Sequence, residues 1–195
     1  MLNIWIAKLT LILGIAAIVV IRTPHGKQRS KQKVSRSERG ELELALLAMA
    51  WAGSVILPAL WVVTPLFSFA DYPLRAASFF AGAILFLIGL WLFYRSHADL
   101  ATNWSLSLEI FENHHLVNTG VYRRVRHPMY AAIFLQGIGQ ALIAPNWIVG
   151  PCNLCLFTLM FILRVGPEER MMLQKFGTSY ESYMKTSKRL VPGVW

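Results

Sequence analysis

The sequence predicts an all-α integral membrane protein with five transmembrane helices and a C-terminal cytoplasmic amphipathic helical tail. Three observations carry this. Hydrophobic residues make up 55% of the 195-residue chain and charged residues only 15%, against about a quarter in a soluble domain. The apolar residues fall in runs long enough to cross a bilayer. The charges, with a net of +9, gather between those runs. Basic residues in such positions read as topology determinants and headgroup contacts rather than a nucleic-acid surface, and no nucleic-acid-binding motif accompanies them. No internal repeat divides the chain. Residues 1–195 form one domain, with three spans in 1–94 and a loop, a helical hairpin and a tail in 95–195.

Leu2–Ile21 is the first span. Its basic residues follow it and no small-residue cleavage site closes it, which separates it from a signal peptide. Arg22–Glu41 is the most basic segment, with Arg22, Lys27, Arg29, Lys31, Lys33, Arg36 and Arg39 against Glu38 and Glu41. The positive-inside rule makes it a cytoplasmic surface loop and leaves the N-terminus outside. Leu42–Val63 is the second span, kinked by Pro58 near its outer end. Thr64–Arg75 is a short outer loop, and Ala76–Tyr94 is the third span, where Gly82 and Gly89 allow close helix approach.

Arg95–His127 is a polar inner segment. Asn103-Trp104-Ser105 matches a glycosylation acceptor but falls on the cytoplasmic side. His114 and His115 are adjacent rather than on one helical face, and no nearby cysteine completes a metal set. Pro128–Ala144 and Trp147–Leu163 are two apolar runs joined by Pro145-Asn146, a tight antiparallel hairpin that returns the chain to the cytoplasm. Gly137-Ile138-Gly139-Gln140 in its first arm implies close packing and a polar neighbour. Cys152 and Cys155 form C-x-x-C inside the second arm; there they read as small buried residues, with no second pair to build a zinc site.

Pro167 is expected to end the fifth span and start a new helix, with Glu168 and Glu169 in its first turn. Met172, Leu173 and Phe176, then Tyr180, Tyr183 and Met184, recur at helical spacing and predict a helix lying on the membrane surface.

The densest chemistry is in Gly120-Val121-Tyr122-Arg123-Arg124-Val125-Arg126-His127-Pro128-Met129-Tyr130. Pro128 suits the first turn of a helix, so a basic loop is delivered to a helix N-terminus, a natural anion site. Arg123, Arg124 and Arg126 fall where lipid headgroups lie. The hairpin brings this loop to the tail, so Arg126, His127, Tyr130, Arg164, Glu168 and Glu169 should cluster at the inner face, as a site or as a structural ion-pair network.

These residues resemble a known family. His114-His115-Leu116-Val117, Gly120-Val121-Tyr122 and Arg126-His127-Pro128-Met129-Tyr130 are similar to the H-x-L-V…G-x-Y…R-H-P-x-Y signature of isoprenylcysteine carboxyl methyltransferases. Glu168-Glu169, Leu173, Phe176-Gly177, Tyr180, Tyr183, Arg189 and Pro192 resemble that family's closing pattern. The resemblance runs from Asn103 to Pro192, and related phospholipid-amine methyltransferases share parts of it. It implies an S-adenosyl-L-methionine cofactor, leaving S-adenosyl-L-homocysteine, in a pocket built from the last two spans and the tail. Carried over, the cofactor contacts are His114, His115, Leu116, Val117, Tyr122, His127, Pro128, Met129, Tyr130 and Glu168, with Glu109 as the counterpart of an upstream polar contact. Arg164 matches the substrate-binding arginine. Arg164 and Glu168 are thus the expected catalytic pair, with Arg164 turned to a lipid-borne carboxylate and Glu168 to the cationic donor.

The chemistry agrees. A methyl sulfonium is already activated, and a carboxylate acceptor is ionised at neutral pH and needs no base. Three readings stay open: carboxyl methylation of a prenylated cysteine or similar lipidic acid; N-methylation of a phospholipid amine, which a cation at Arg164 disfavours; and a nicotinamide-dependent sterol-type reductase or non-enzymatic membrane protein.

Overall fold

The protein was analysed as a computed structural model, which describes residues 2–30, 33–37, 40–112 and 114–194. Lys31, Glu38 and Arg39 of the basic segment lie outside the described residues. The described residues form seven α-helices: α1 (Ile4–Arg29), α2 (Glu41–Trp51), α3 (Leu57–Val63), α4 (Ala76–Leu100), α5 (Pro128–Ile143), α6 (Val149–Phe176) and α7 (Thr178–Thr186). The all-helical expectation holds apart from one short antiparallel ribbon, in which β1 (Val34–Ser37) pairs with β2 (Glu109–Phe111).

Among the described residues, four stretches are long and apolar enough to cross a membrane: Ile4–Gln28, Glu41–Val63, Ala76–Asn103 and Val149–Phe176. They turn Trp5, Leu13, Val20, Leu87, Trp91 and Ile162 outward, an apolar exterior suited to lipid. This is an integral membrane protein. The fourth of the five expected spans, Pro128–Ala144, is not among these four stretches. Pro128–Ile143 is apolar but has only 16 residues, about 24 Å of helix against a hydrocarbon core of about 30 Å.

The ends of the elements depart from the sequence reading in three places. First, α1 runs through Pro24 to Arg29 and Val34–Ser37 forms β1, so most described residues of the basic segment are helix or strand rather than loop. Second, a π turn at Ala52–Ile56 links α2 to α3, with the Leu57 N–H donating to Ala52 O directly before Pro58. Widening the helix there accommodates a residue that lacks an N–H and crowds the preceding turn. Third, α6 continues through Pro167 to Phe176, so the chain does not turn there. Its surroundings hold the helix together across one missing hydrogen bond.

The core of the bundle is the seam between α4 and α5, built on glycine. A β-carbon added at Gly82 would stand 2.8 Å from Gly139 O and 2.7 Å from Leu142 Cβ, and one at Gly139 would stand 2.8 Å from Gly82 O. The backbones therefore touch, and the Ser78 hydroxyl donates across the seam to Leu142 O at 2.9 Å. The hairpin turn is pinned by Asn146, which is fully buried. Its Oδ1 accepts the N–H groups of Ile148 and Val149 at 3.0 and 2.9 Å, starting α6, and its Nδ2 donates to Asp71 Oδ1 and Phe67 O. Gln140 finds the polar neighbours expected for it, donating to Val149 O at 2.8 Å and Gly53 O at 3.3 Å. Cys152 is buried beside it as expected, whereas Cys155 is exposed on the outer face of α6.

Gly139→Leu should abolish this seam, because the atoms it would displace are backbone. The expected cost is about 3 kcal/mol or more, read as loss of folded protein in detergent, with Gly82→Ala giving a smaller drop in melting temperature. Unaltered melting of both variants would show that the seam does not carry the fold.

Candidate active site

Where α5 begins, the chain is threaded through a tight crossing. Gly120, at φ +58°, packs against the Asp99 carboxylate, which accepts the Val121 N–H at 2.9 Å. Residues 124–127 then pair with the segment after α7: Arg126 N donates to Lys188 O at 2.7 Å and His127 N to Arg189 O at 3.0 Å. The Tyr183 hydroxyl donates to Tyr122 O. Burial raises the Tyr122 and Tyr183 hydroxyls, the latter to about 12, so both remain neutral donors. The tyrosine stripe of α7 is therefore buried against this loop, not laid on a membrane surface as its spacing suggests.

Of the three arginines expected at headgroups, Arg123 and Arg124 are exposed, but Arg126 turns inward. Its Nε is 3.0 Å from Glu169 Oε1 and its Nη1 donates to Ser187 O at 2.6 Å. Glu169 also accepts from Arg189 at 2.7 Å and lies 3.3 Å from His127 Nε2. Glu168, one residue back, accepts the Tyr130 hydroxyl, and the Tyr130 ring stacks on His127 at 5.3 Å.

Arg164 and Glu168 are four residues apart on an unbroken helix and so share a face. They do not pair with each other. Arg164 Nη2 lies 3.1 Å from Glu43 Oε1 and donates to Leu106 O at 2.9 Å. Glu43 in turn accepts the Leu108 N–H at 3.1 Å. This buried pair from α2 and α6 fastens the loop between Asn103 and β2. In that loop Asn103 is 5% exposed and its amide bonds the His115 ring at 2.9 Å. The glycosylation-like triplet is thus folded inward. Ser105 donates to Glu109 at 2.7 Å.

One cavity lies inside this frame. It is lined by Glu109, His114, His115, Leu116, Val117, Tyr122, His127, Met129, Tyr130, Arg164 and Glu168, eleven of the twelve positions singled out in the sequence. Pro128 is the exception. It starts α5 as expected but faces a second hollow with Val121 and Leu190. Along the membrane-embedded side, Ile18, Leu47, Phe93, Ile133, Phe157 and Met160 make the wall apolar. Sequence reasoning missed Glu43, although a carboxylate inside an apolar span is itself a signal. It also missed Arg22, Trp51 and Trp104, which the first two spans and the inner loop bring to the cavity.

The profile of a family described as phospholipid methyltransferase matches residues 77–179, more than half of the chain. The chain belongs to the phospholipid methyltransferase family. Among curated proteins similar to it is the protein-S-isoprenylcysteine O-methyltransferase of Schizosaccharomyces pombe, 33% identical over 85 residues, which are 42% of this chain and 34% of that one. The A form of that enzyme in Arabidopsis thaliana is 32% identical over 85 residues, covering 43% of each chain. This family member thus spans well under half the length of these relatives. Its fold is similar to that of a eukaryotic intramembrane Ras methyltransferase, with a TM-score of 0.54 at 23% identity, over 80% of this chain and 54% of that one.

Two outcomes follow from the electrostatics. Glu43→Ala should destabilise this family member by about 3 kcal/mol or more, because it strands the Arg164 charge, whereas Glu43→Met with Arg164→Met should recover most of that loss. A double-mutant cycle of melting temperatures measures it, and additive losses would refute the coupling. Burial, with His115 and Lys175 nearby, lowers His114 to about 4. An unfolded histidine titrates near 6.5, so the unfolded state binds more protons between these values. The stability from a neutral His114 is complete above about pH 6.5 and is lost as the pH falls towards about 4. His114→Gln should flatten the melting-temperature profile across that window; an unchanged slope would assign it to other groups.

Proposed function

We propose that this protein is an S-adenosyl-L-methionine-dependent methyltransferase that methylates the carboxylate of an isoprenylated cysteine or a similar lipidic acid. The reaction takes place at the cytoplasmic membrane face, with the N-terminus outside and the C-terminus cytoplasmic. The observation that supports this most is the make-up of the cavity: two carboxylates and a histidine pair at the polar end, and an apolar wall along the spans. The names of the curated relatives point the same way.

The residues suit the cofactor. Trp104 Nε1 and His114 Nδ1 are buried without a hydrogen-bond partner among the described residues, and both side chains line the cavity. A nucleoside bearing an amino-acid group offers partners for such atoms. Glu109 and Glu168 match a ligand that carries cationic sulfur and ammonium groups. Together with His114, His115, Leu116, Val117, Tyr122, His127, Met129 and Tyr130 they would hold it, while Pro128 sets the start of α5. The cofactor supplies a methyl group already activated on positively charged sulfur.

The acceptor is ionised at neutral pH, so no side chain has to remove a proton from it. Arg164 binds and orients the carboxylate. Its Nη2 is taken by Glu43 and Leu106, while its Nε is buried and unpartnered among the described residues. The wall formed by Ile133, Phe157 and Met160 takes the lipid tail and excludes water.

Methyl transfer by protein in lipid nanodiscs should occur to N-acetyl-S-farnesylcysteine and not to phosphatidylethanolamine. The reverse result would establish amine methylation, and absence of S-adenosyl-L-homocysteine binding would remove the methyltransferase reading altogether. Glu168→Ala should weaken donor binding, and Arg164→Ala should raise the acceptor KM, each by on the order of ten- to a hundredfold. Equal losses for both ligands in both variants would refute this division. His127→Ala and Tyr130→Phe should likewise lower S-adenosyl-L-homocysteine affinity more than they lower the melting temperature.

A further inference from the structure

Arg22 is the cavity cation whose charge the fold leaves unanswered. Three arginines line the cavity. Arg126 pairs with Glu169 at 3.0 Å and Arg164 with Glu43 at 3.1 Å. Arg22 makes no ion pair or hydrogen bond among the described residues. Its guanidinium is surrounded instead by ring faces, with the centroids of Trp51, Phe93 and Trp104 at 5.4, 5.8 and 5.8 Å. Trp51, Phe93 and Trp104 line the same cavity. Aromatic faces steady a cation without using its N–H groups. The result is a preset guanidinium with five donors to offer, at the end of the first span, within reach of the Arg164 charge.

A cation so placed in a membrane-embedded wall calls for an anion. The wall's own acids are engaged: Glu168 accepts from Tyr130 and Glu109 from Ser105. We infer that Arg22 receives the anionic group of the acceptor and shares it with the free Nε of Arg164. This assigns the first span a part in substrate selection, and it rests on the reading of the acceptor as a lipidic acid. A neutral acceptor would leave Arg22 unanswered, so the site selects for charge.

The test is equilibrium binding of N-acetyl-S-farnesylcysteine and of its uncharged carboxamide to the full-length protein in nanodiscs, with S-adenosyl-L-homocysteine binding as the control for folding. Wild type should prefer the acid by about tenfold or more. Arg22→Gln should erase that preference while leaving carboxamide and S-adenosyl-L-homocysteine affinities in place, and Arg22→Lys should restore part of it. A preference that survives Arg22→Gln, or is missing from wild type, overturns the inference. Methyl transfer to the acid, scored separately in wild type, tests the proposed function. A protein that methylates the acid but ignores the Arg22 change sinks only the role of Arg22. One that binds the acid through Arg22 but does not methylate it sinks only the reaction. If Arg22→Gln loses S-adenosyl-L-homocysteine binding, Arg22→Lys decides: with the control intact, an acid preference as large as wild type's overturns the role, and a reduced one supports it.

Discussion

The Glu169 carboxylate is the constraint on which the inner half of the molecule depends. It sits on α6 and is 4% exposed. It meets Arg126 and His127 from the loop before α5 and Arg189 from the segment after α7. A buried carboxylate is tolerable only when its lone pairs are taken, and here three cationic or polar groups take them. Each of those groups is fixed in turn. Arg126 also binds Ser187 O, and His127 stacks on Tyr130, which donates to Glu168. One anion thus helps to set the positions of Arg126, His127, Tyr130 and Glu168 on the polar wall of the cavity. Glu168 and Glu169 are neighbours in sequence with separate tasks: the first faces the cavity and the second ties its frame.

The opposite end is held by different means. Asn146 satisfies the start of α6 and the outer loop, and glycines bring α4 against α5. A single carboxylate, Asp71, serves this end, accepting from Asn146 and from the Trp61 indole. The ion pairs that join separate elements lie at the cavity end, and the α4–α5 seam is packed through small residues and apolar contacts. Rigid backbone contact on one side supports a charged, solvent-reaching site on the other.

Much of the cavity was legible in the sequence because its residues occur in ordered runs. Gly120–Tyr130 and Glu168–Glu169 carry unusual polar density beside apolar helices, and a short hairpin had to bring them together. Local signals misled where packing outweighed them. Pro167 reads as a helix break, yet α6 passes through it, with Arg164 on one side tied to Glu43 and Glu169 on the other tied to Arg189. Arg126 carries two readings in the sequence, a headgroup contact like Arg123 and Arg124 and a member of the cluster with Glu169, and the ion pair with Glu169 decides for the second. Glu43 and Arg22 come from spans with no recognisable motif. That Arg22 reaches the cavity and Glu43 reaches Arg164 depends on how α1 and α2 lean on α4 and α6, which no local pattern encodes.

The strand-like pairing of residues 124–127 with 187–189 has a consequence for biosynthesis. The segment that closes the frame follows every helix of the bundle in chain order. A nascent chain can insert its spans and seat α5 against α4 while Arg126 and His127 still lack their last partners. Only when residues 187–189 have left the ribosome can Arg189 reach Glu169 and the loop before α5 be zipped in place. A chain stalled before these residues would have its spans in place with the frame still open.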